Sequence, residues 1–327
     1  MTRTSTPAFS HGRRAAMAFL VAAAAGGAVA QPAPIRFLVP FPPGGAADQT
    51  ARIVAQEAAL MLGTPIVLEN KPGAGGMIAA ELAARAKPDG KTFFVGSTGP
   101  LVLNTFLYAK MPYDPERAFV PVAGLGKSPL LLVTRKDFGA ASLQELIAKA
   151  KSSPAPVSMA SAGNGNITHL TGEYAASLMG FKVNHIPFSG SAPAITSLAG
   201  SNVDIMFDAL PSSMQQAKAG LIRPLVILDD RRFPQLPNVP TFREAGFPDG
   251  DISAWIVLVA PAGTPRDTVL EMNRAVNEAL KKPEVVTKLQ AIGEQPMPGT
   301  PEDLGKFMAQ ERARWIPLAA KLGIRPE

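Results

Sequence analysis

Short apolar runs alternate with stretches of helical period along this 327-residue chain, and glycine-rich turns join several of the runs to the helices that follow. That alternation constrains the fold more than any single residue does. Strand, helix and strand in repeated order predict an α/β fold with a mostly parallel sheet. Residues 35–40 (IRFLVP) read as a strand, and 49–62 as a helix with Val54, Ala58 and Met61 on one face. A strand at 65–68, a helix at 77–86 and a strand at 92–96 complete a first round. A second round runs through strands at 130–134, 157–160, 183–186 and 205–207, with helices at 142–151, 168–179 and 192–199, the first of them capped by Ser142. A strand at 255–260 and helices at 266–281 and 301–322 remain. The proline-rich stretch 233–248 reads as a surface connection, because a strand resumes beyond it.

Two such units in one chain predict two lobes joined by more than one crossing, with a cleft between them. Ligands in open α/β sheets bind outside the carboxyl ends of the strands. The expected division is 31–126 with 255–327 for one lobe and 127–254 for the other.

The first thirty residues read differently. Arg3, His11, Arg13 and Arg14 precede an apolar run that ends in Ala28-Val29-Ala30, the anatomy of a secretory signal peptide cleaved after Ala30. The run is short for a membrane span of about 20 residues. Cleavage removes three arginines and no acid, leaving 29 basic against 26 acidic residues, so the formal net charge drops from +6 to +3. No basic cluster interleaved with aromatics follows, so no nucleic-acid partner is expected. An exported periplasmic protein is the expectation, acting as a monomer.

The absence of cysteine removes thiol nucleophiles, disulfides and cysteine zinc sites. What the chain offers instead are loops. Phe41, Pro42, Pro43, Gly44, Gly45, Ala46 and Ala47 lead from the first strand to Asp48, which stands where an N-cap belongs. Glycines let the backbone approach a ligand, and the helix beyond turns its free N–H groups back on the loop. A second such loop holds Ser161, Ala162, Gly163, Asn164 and Asn166, followed by His169; a third spans 70–76. Helix N-termini facing one cleft could bind a carboxylate with dipoles and amides alone.

Catalytic motifs fail on inspection. Gly126-Lys127-Ser128 resembles the end of a phosphate loop, but Pro121 occupies the first glycine position and a strand follows. Gly163-x-Gly165 lacks the third glycine of a dinucleotide fingerprint. His169 and Glu173 are spaced as half of a metal site or an acid/base pair, yet the mature chain has one other histidine, His185. The plainer reading is a histidine that buttresses its loop. No metal and no cofactor are expected, and the chain is not expected to be an enzyme.

VPFPPGGAAD (39–48), ENKPGAGG (69–76), KPDGKT (87–92), SAGNGNITHLTGEY (161–174), HIPFSGSAPAITSLAGSNVDIMFD (185–208), LPNVPTFREAG (236–246) and WIVLVAPAGTP (255–265) together resemble the periplasmic receptors of tripartite tricarboxylate transporters, also called Bordetella uptake gene receptors. The resemblance implies a two-lobed periplasmic binding protein fold of type II that closes on a small organic carboxylate: a di- or tricarboxylate, an aromatic acid or an amino acid. It implies that the loop from Phe41 to Asp48 holds a ligand carboxylate, largely through amides and water. The opposite wall maps onto residues 161–169 and the end of the strand carrying Asp208, while Ser97 and Thr98 match the hydroxyls that line the family's pocket. Asn166 stands where the family commonly has serine, Ser201 where a second glycine is usual, and Lys91 where tyrosine is frequent.

Asp208 has two readings. Facing the cleft, it would favour a ligand with a cationic group; otherwise it caps the next helix. The implied partners are membrane permease subunits. Two alternatives stay open at this level: a sensor that signals to a membrane histidine kinase, and an exported hydrolase using His169.

Overall fold

The first α/β round begins with β1 (Ile35–Val39), α1 (Ala46–Leu62) and β2 (Ile66–Asn70), followed by α2 (Met77–Ala84) and β3 (Thr92–Gly96). Short helical turns at Gly99–Leu103, Asn104–Leu107 and Pro115–Ala118 lead to β4 (Phe119–Arg135), a strand of 17 residues. The second round comprises α3 (Leu143–Ser152), β5 (Val157–Ser161), α4 (Ile167–Met179), β6 (Val183–Pro187), α5 (Ser191–Ala199), β7 (Ile205–Ala209), α6 (Leu210–Lys218) and β8 (Ile222–Leu228). The chain returns through β9 (Ser253–Pro261) to α7 (Arg266–Lys281), α8 (Pro283–Ile292), β10 (Gln295–Pro296) and α9 (Pro301–Lys321).

This computed structural model describes residues 1–2, 33–247 and 252–322. The leader expected at 1–30 lies outside the described residues apart from its first two. Pro34–Glu327 groups as one compact unit and Met1–Ala33 as another, and the fold is a property of the former.

Among the described residues the strands run in the order β2-β1-β3-β9-β4-β7-β5-β6, with β8 and β10 also paired to β4. The expected parallel sheet is present only in part. β1 pairs in parallel with β2 and β3, and β5 with β6 and β7. Every pairing made by β4 and β9 is antiparallel, so the whole is mixed. The physical reason lies in β4. Phe119–Pro129 pairs with β9, whereas Leu130–Arg135 pairs with β7 and β8, so one strand serves both α/β units. Shifts in register between Pro121 and Ala123 and between Gly124 and Gly126 bend it on the way.

Helices cover both sheet faces. Phe37, Phe93, Val95 and Ile256 pack with Ala51, Val54 and Val276 in one cluster, while Leu131, Ile195, Met206 and Ile227 form another. A larger cluster includes Phe94, Leu101, Leu132, Phe207, Trp255 and Trp315. Each fully buried side chain of this size contributes about 1.5–3 kcal/mol relative to exposure. The consequence for function is positional: the carboxyl ends of β1, β3, β5, β6 and β7 are held by rigid sheet, and the loops leaving them are the candidate site.

Candidate functional site

Loops from both α/β units line one cavity. Phe41, Gly45, Ala46 and Ala47 come from the β1–α1 junction, and Ser97 and Thr98 from the end of β3. Ala162, Asn166, Ile167 and Thr168 come from the β5–α4 junction, Ser191 from the start of α5 and Ala209 from the end of β7. Ala254, Trp255 and Ile256 of β9 complete the lining, and no Asp, Glu, Lys or Arg takes part. The cavity measures about 40 Å³, the space of about three ordered waters. A second cavity of about 230 Å³ shares Phe41 and Ala162 with the first and is walled by Gly73–Gly76, Tyr108, Gly163, Asn164 and Phe188 among others.

The two sets of loops are in contact across the cleft. Gln49 Nε2 donates to Pro211 O at 3.1 Å. A Cβ at Gly165, whose φ is +68°, would lie 2.4 Å from Leu107 Cδ1, and one at Gly190 would lie 2.7 Å from Pro42 Cδ. Glycine is therefore what lets these loops approach so closely.

The cavity is rich in hydrogen-bond donors. α1, α5 and α6 begin at Gly45, Gly190 and Ala209 without a side-chain cap, so their first-turn N–H groups lack the usual side-chain partner. The first residues of α1 and α5, and Ala209 just ahead of α6, line the cavity, where the positive ends of the helices favour an anion. Ser97 Oγ and Thr98 Oγ1 are buried and have no hydrogen-bond partner among the described residues. Thr168 Oγ1 accepts from Ala162 N at 2.8 Å, which leaves its own hydrogen to donate. Asn166 caps α4 by accepting from Thr168 N at 3.1 Å, which leaves its amide hydrogens free for the cavity. A carboxylate would satisfy these groups together. A cation would find no charge to answer it.

Asp48 does not cap α1. Gly45 holds that position, the helix starts three residues earlier than its periodicity predicts, and Asp48 sits in the first turn. Burial alone would raise its pKa, but hydrogen bonds from Arg52, Gly44 N–H and Asn70 outweigh burial and hold the carboxylate below its ordinary range. Asn70 Nδ2 also donates to Phe41 O at 2.8 Å, so this ion-paired knot fixes the loop from behind. Pro43 and Gly44 lie on its exposed outer side.

Asp208 does not face the cavity either, which answers the two readings its sequence position allowed. It is fully buried and accepts hydrogen bonds from Ser212 and Ser213, in the first turn of α6, and from Ser191. Burial raises its pKa, against the lowering effect of those three hydroxyls.

His169 and His185 stack with centroids 3.6 Å apart and planes 7° apart. Burial, and then the neighbouring His185, lowers the pKa of His169 to about 3, and burial lowers that of His185 to about 4. Both rings are therefore neutral at ordinary pH. His185 Nε2 lies 2.6 Å from Ser161 Oγ, and His169 Nδ1 accepts from Gly165 N at 3.3 Å. The pair buttresses the 161–166 loop, as the plainer reading of His169 had it.

The structure thus brings Phe41, Gly45, Ala46, Ala47, Ser97, Thr98, Ala162 and Asn166 to one cavity, and Gly163 and Asn164 to its neighbour. Asp48, Ser161, His169 and Asp208 stand behind as supports. Sequence reasoning had Ile167 and Thr168 only as part of the 161–169 wall, and missed Ser191, Ala209 and the β9 wall. Ser191 had a signal, since Ser189-Gly190-Ser191 is a further glycine turn before a helix; the apolar β9 residues had none.

Residues 50–324 match the family described as "Tripartite tricarboxylate transporter family receptor". The chain is 36% identical over 293 residues to BugT of Bordetella pertussis, covering 89% of this chain and 90% of that one. An R. palustris protein solved with adipate superimposes with a TM-score of 0.88 at 34% identity, covering 90% of this chain and 98% of the other. MatC of Rhodopseudomonas palustris, solved with bound malate, gives a TM-score of 0.83 at 36% identity, covering 87% and 98%. The architecture is the two-lobed binding-protein fold of these structures.

Proposed function

We propose that this chain, which belongs to the tripartite tricarboxylate transporter family of receptors, captures a small organic carboxylate between its lobes and delivers it to the membrane permease of such a transporter. As a member of that family it is a solute-binding receptor and not an enzyme. The proposed lobes are 31–126 with 255–327, and 127–254, and the proposed mechanism is closure stabilised by ligand contacts that exist only in the closed form. Export to the periplasm, with cleavage after Ala30, belongs to the same proposal, as does a monomeric state.

The observation that carries the reading is the pair of buried, unpartnered hydroxyls of Ser97 and Thr98, set beside the uncapped start of α1 in a cavity with no charged side chain. Unsatisfied donors at a helix N-terminus call for an anion. The adipate and malate in two of the similar structures are carboxylates, which supports the same ligand class. We propose Phe41, Gly45, Ala46, Ala47, Ser97, Thr98, Ala162 and Asn166 as contacts, with Gly163 and Asn164 at the outer end. Pro43, Gly44, Asp48, Ser161, His169 and Asp208 shape the loops.

Thermal-shift screening across small carboxylates and amino acids, followed by calorimetry, tests the reading. A ligand at 100 times its Kd should add about 2.7 kcal/mol of stability. The expected result is stabilisation by at least one carboxylate and none by amines that lack a carboxylate. A screen in which no carboxylate stabilises the protein would overturn it. Delivery is tested by solute uptake in cells lacking the gene, which should fall for the ligand so identified.

A further inference from the structure

The hydrogen-bond polarity of the cavity is not uniform. Thr168 and Asn166 each accept one backbone N–H, from Ala162 and Thr168, and keep hydrogens to donate to a ligand. Ser191 is the opposite. Its hydroxyl donates to Asp208 Oδ1 at 2.6 Å, so its single hydrogen is used and only lone pairs remain for the cavity.

Asp208 sets that direction, with Oδ1 accepting from Ser191 and Oδ2 from Ser212 and Ser213. Ionised, it accepts at both oxygens. A proton carried on Oδ2 leaves that direction unchanged, since Ser212 can accept it and pass its own hydrogen to Ala209 O at 2.9 Å. Oδ1 then remains the acceptor of the Ser191 hydroxyl. An acceptor among donors is a demand on the ligand, because a group without a hydrogen to give would leave Ser191 facing it unpaired.

Resting on the carboxylate reading above, we propose that Ser191, oriented by the positioning residue Asp208, makes this receptor select carboxylates that carry a hydroxyl group over their deoxy analogues. An ammonium group would answer the lone pair as well, but it would give up its hydration in a cavity where no charged side chain can be reached. Asp208 itself is sealed behind Ser191 at 0% exposure. A hydroxyl needs only the one acceptor.

Calorimetry on the whole mature chain with two matched pairs, malate against succinate and lactate against propionate, tests this. The hydroxy acid of the tighter-binding pair should bind about tenfold more tightly than its deoxy partner, the worth of one good hydrogen bond. In Ser191→Ala that ratio should collapse to within about twofold, with a thermal melt confirming that the variant folds. A merely structural role for Ser191 would weaken both acids equally and leave the ratio unchanged, which would overturn the inference. Equal or tighter binding of the deoxy acids by the unaltered chain would overturn it too, while leaving the carboxylate reading intact. If none of the four acids binds, and no other carboxylate does, that reading fails first and takes this one with it.

Discussion

Ser97 and Thr98 hold hydroxyls that the folded protein buries and does not satisfy, and leaving such a group unpaired costs about 1–3 kcal/mol. Thr98→Val should therefore leave the unliganded melting temperature unchanged or raise it, while weakening carboxylate binding about tenfold. Paired melts and calorimetry read both effects, and a variant that loses stability without losing affinity would contradict the assignment. Two buried titrations set a pH dependence of stability. The pKa values of His169 and His185 lie at about 3 and 4 against an ordinary 6.5. Between about pH 4 and 6.5 the unfolded chain thus binds protons that the folded chain refuses, and stability falls as pH falls. Glu294 acts in the other direction. It is fully buried beside Thr50 and Ser128, and burial raises its pKa from 4.5 to about 8 against the lowering effect of those two hydroxyls. Between those values the folded chain keeps a proton that the unfolded chain has lost, so stability falls as pH rises. The slopes oppose each other below about pH 6.5, and above it, where the histidines no longer titrate, stability should fall as pH rises toward about 8. Buried Asp208 and half-buried Glu173, raised by burial as well, act in the same sense as Glu294. Glu294→Gln should flatten the fall between about pH 6.5 and 8 and steepen the rise between about 4.5 and 6.5, as urea midpoints from pH 5 to 9 would reveal. At this scale the sequence was legible where a motif named the residue, as for Phe41 and Asn166, or where the family resemblance did, as for Ser97. It was not for Asp48 and Asp208, whose partners Asn70 and Ser191 are distant in sequence, or for Glu294, whose burial no local pattern signals.

Helix starts and glycine turns do together what no charged side chain does here. α1, α5 and α6 begin without side-chain caps at the cavity wall, while Gly165 and Gly190 let facing loops meet. Gly165→Ala adds a methyl 2.4 Å from Leu107 Cδ1 at a φ of +68°. It should prop the cleft open and weaken ligand binding more than tenfold, with a loss of about 1 kcal/mol in the unliganded chain from the left-handed backbone alone. Calorimetry and denaturation on the same preparation separate the two effects. Most helices and short strands were legible from apolar period and caps, such as Ser142 ahead of α3. β4 was read only over 130–134, its uninterrupted apolar part, because Pro121, Gly124, Gly126 and Pro129 look like loop residues until bulges and a partner strand accommodate them. α6 was missed because LPSSMQQAK begins with a proline and serines and has little apolar period.

At the scale of the whole molecule, two rounds of alternation were enough to expect two lobes and a cleft. What they could not give was the mixed sheet, since the direction of β9 and the double duty of β4 depend on pairings between residues more than a hundred positions apart. Closure should be visible in solution. Small-angle scattering is expected to show a smaller radius of gyration at saturating carboxylate than in its absence, and no change with Gly165→Ala. The account as a whole stands on neutral donors, two hydroxyls and the start of one helix, holding a negative charge that no cationic side chain answers. A crystal structure of the carboxylate complex measures this most directly. The predicted result is a carboxylate oxygen within about 3.2 Å of Ser97 Oγ or Thr98 Oγ1 and of the Ala46 or Ala47 N–H; a ligand seated elsewhere, or one whose carboxylate is paired with an arginine or lysine, would contradict it.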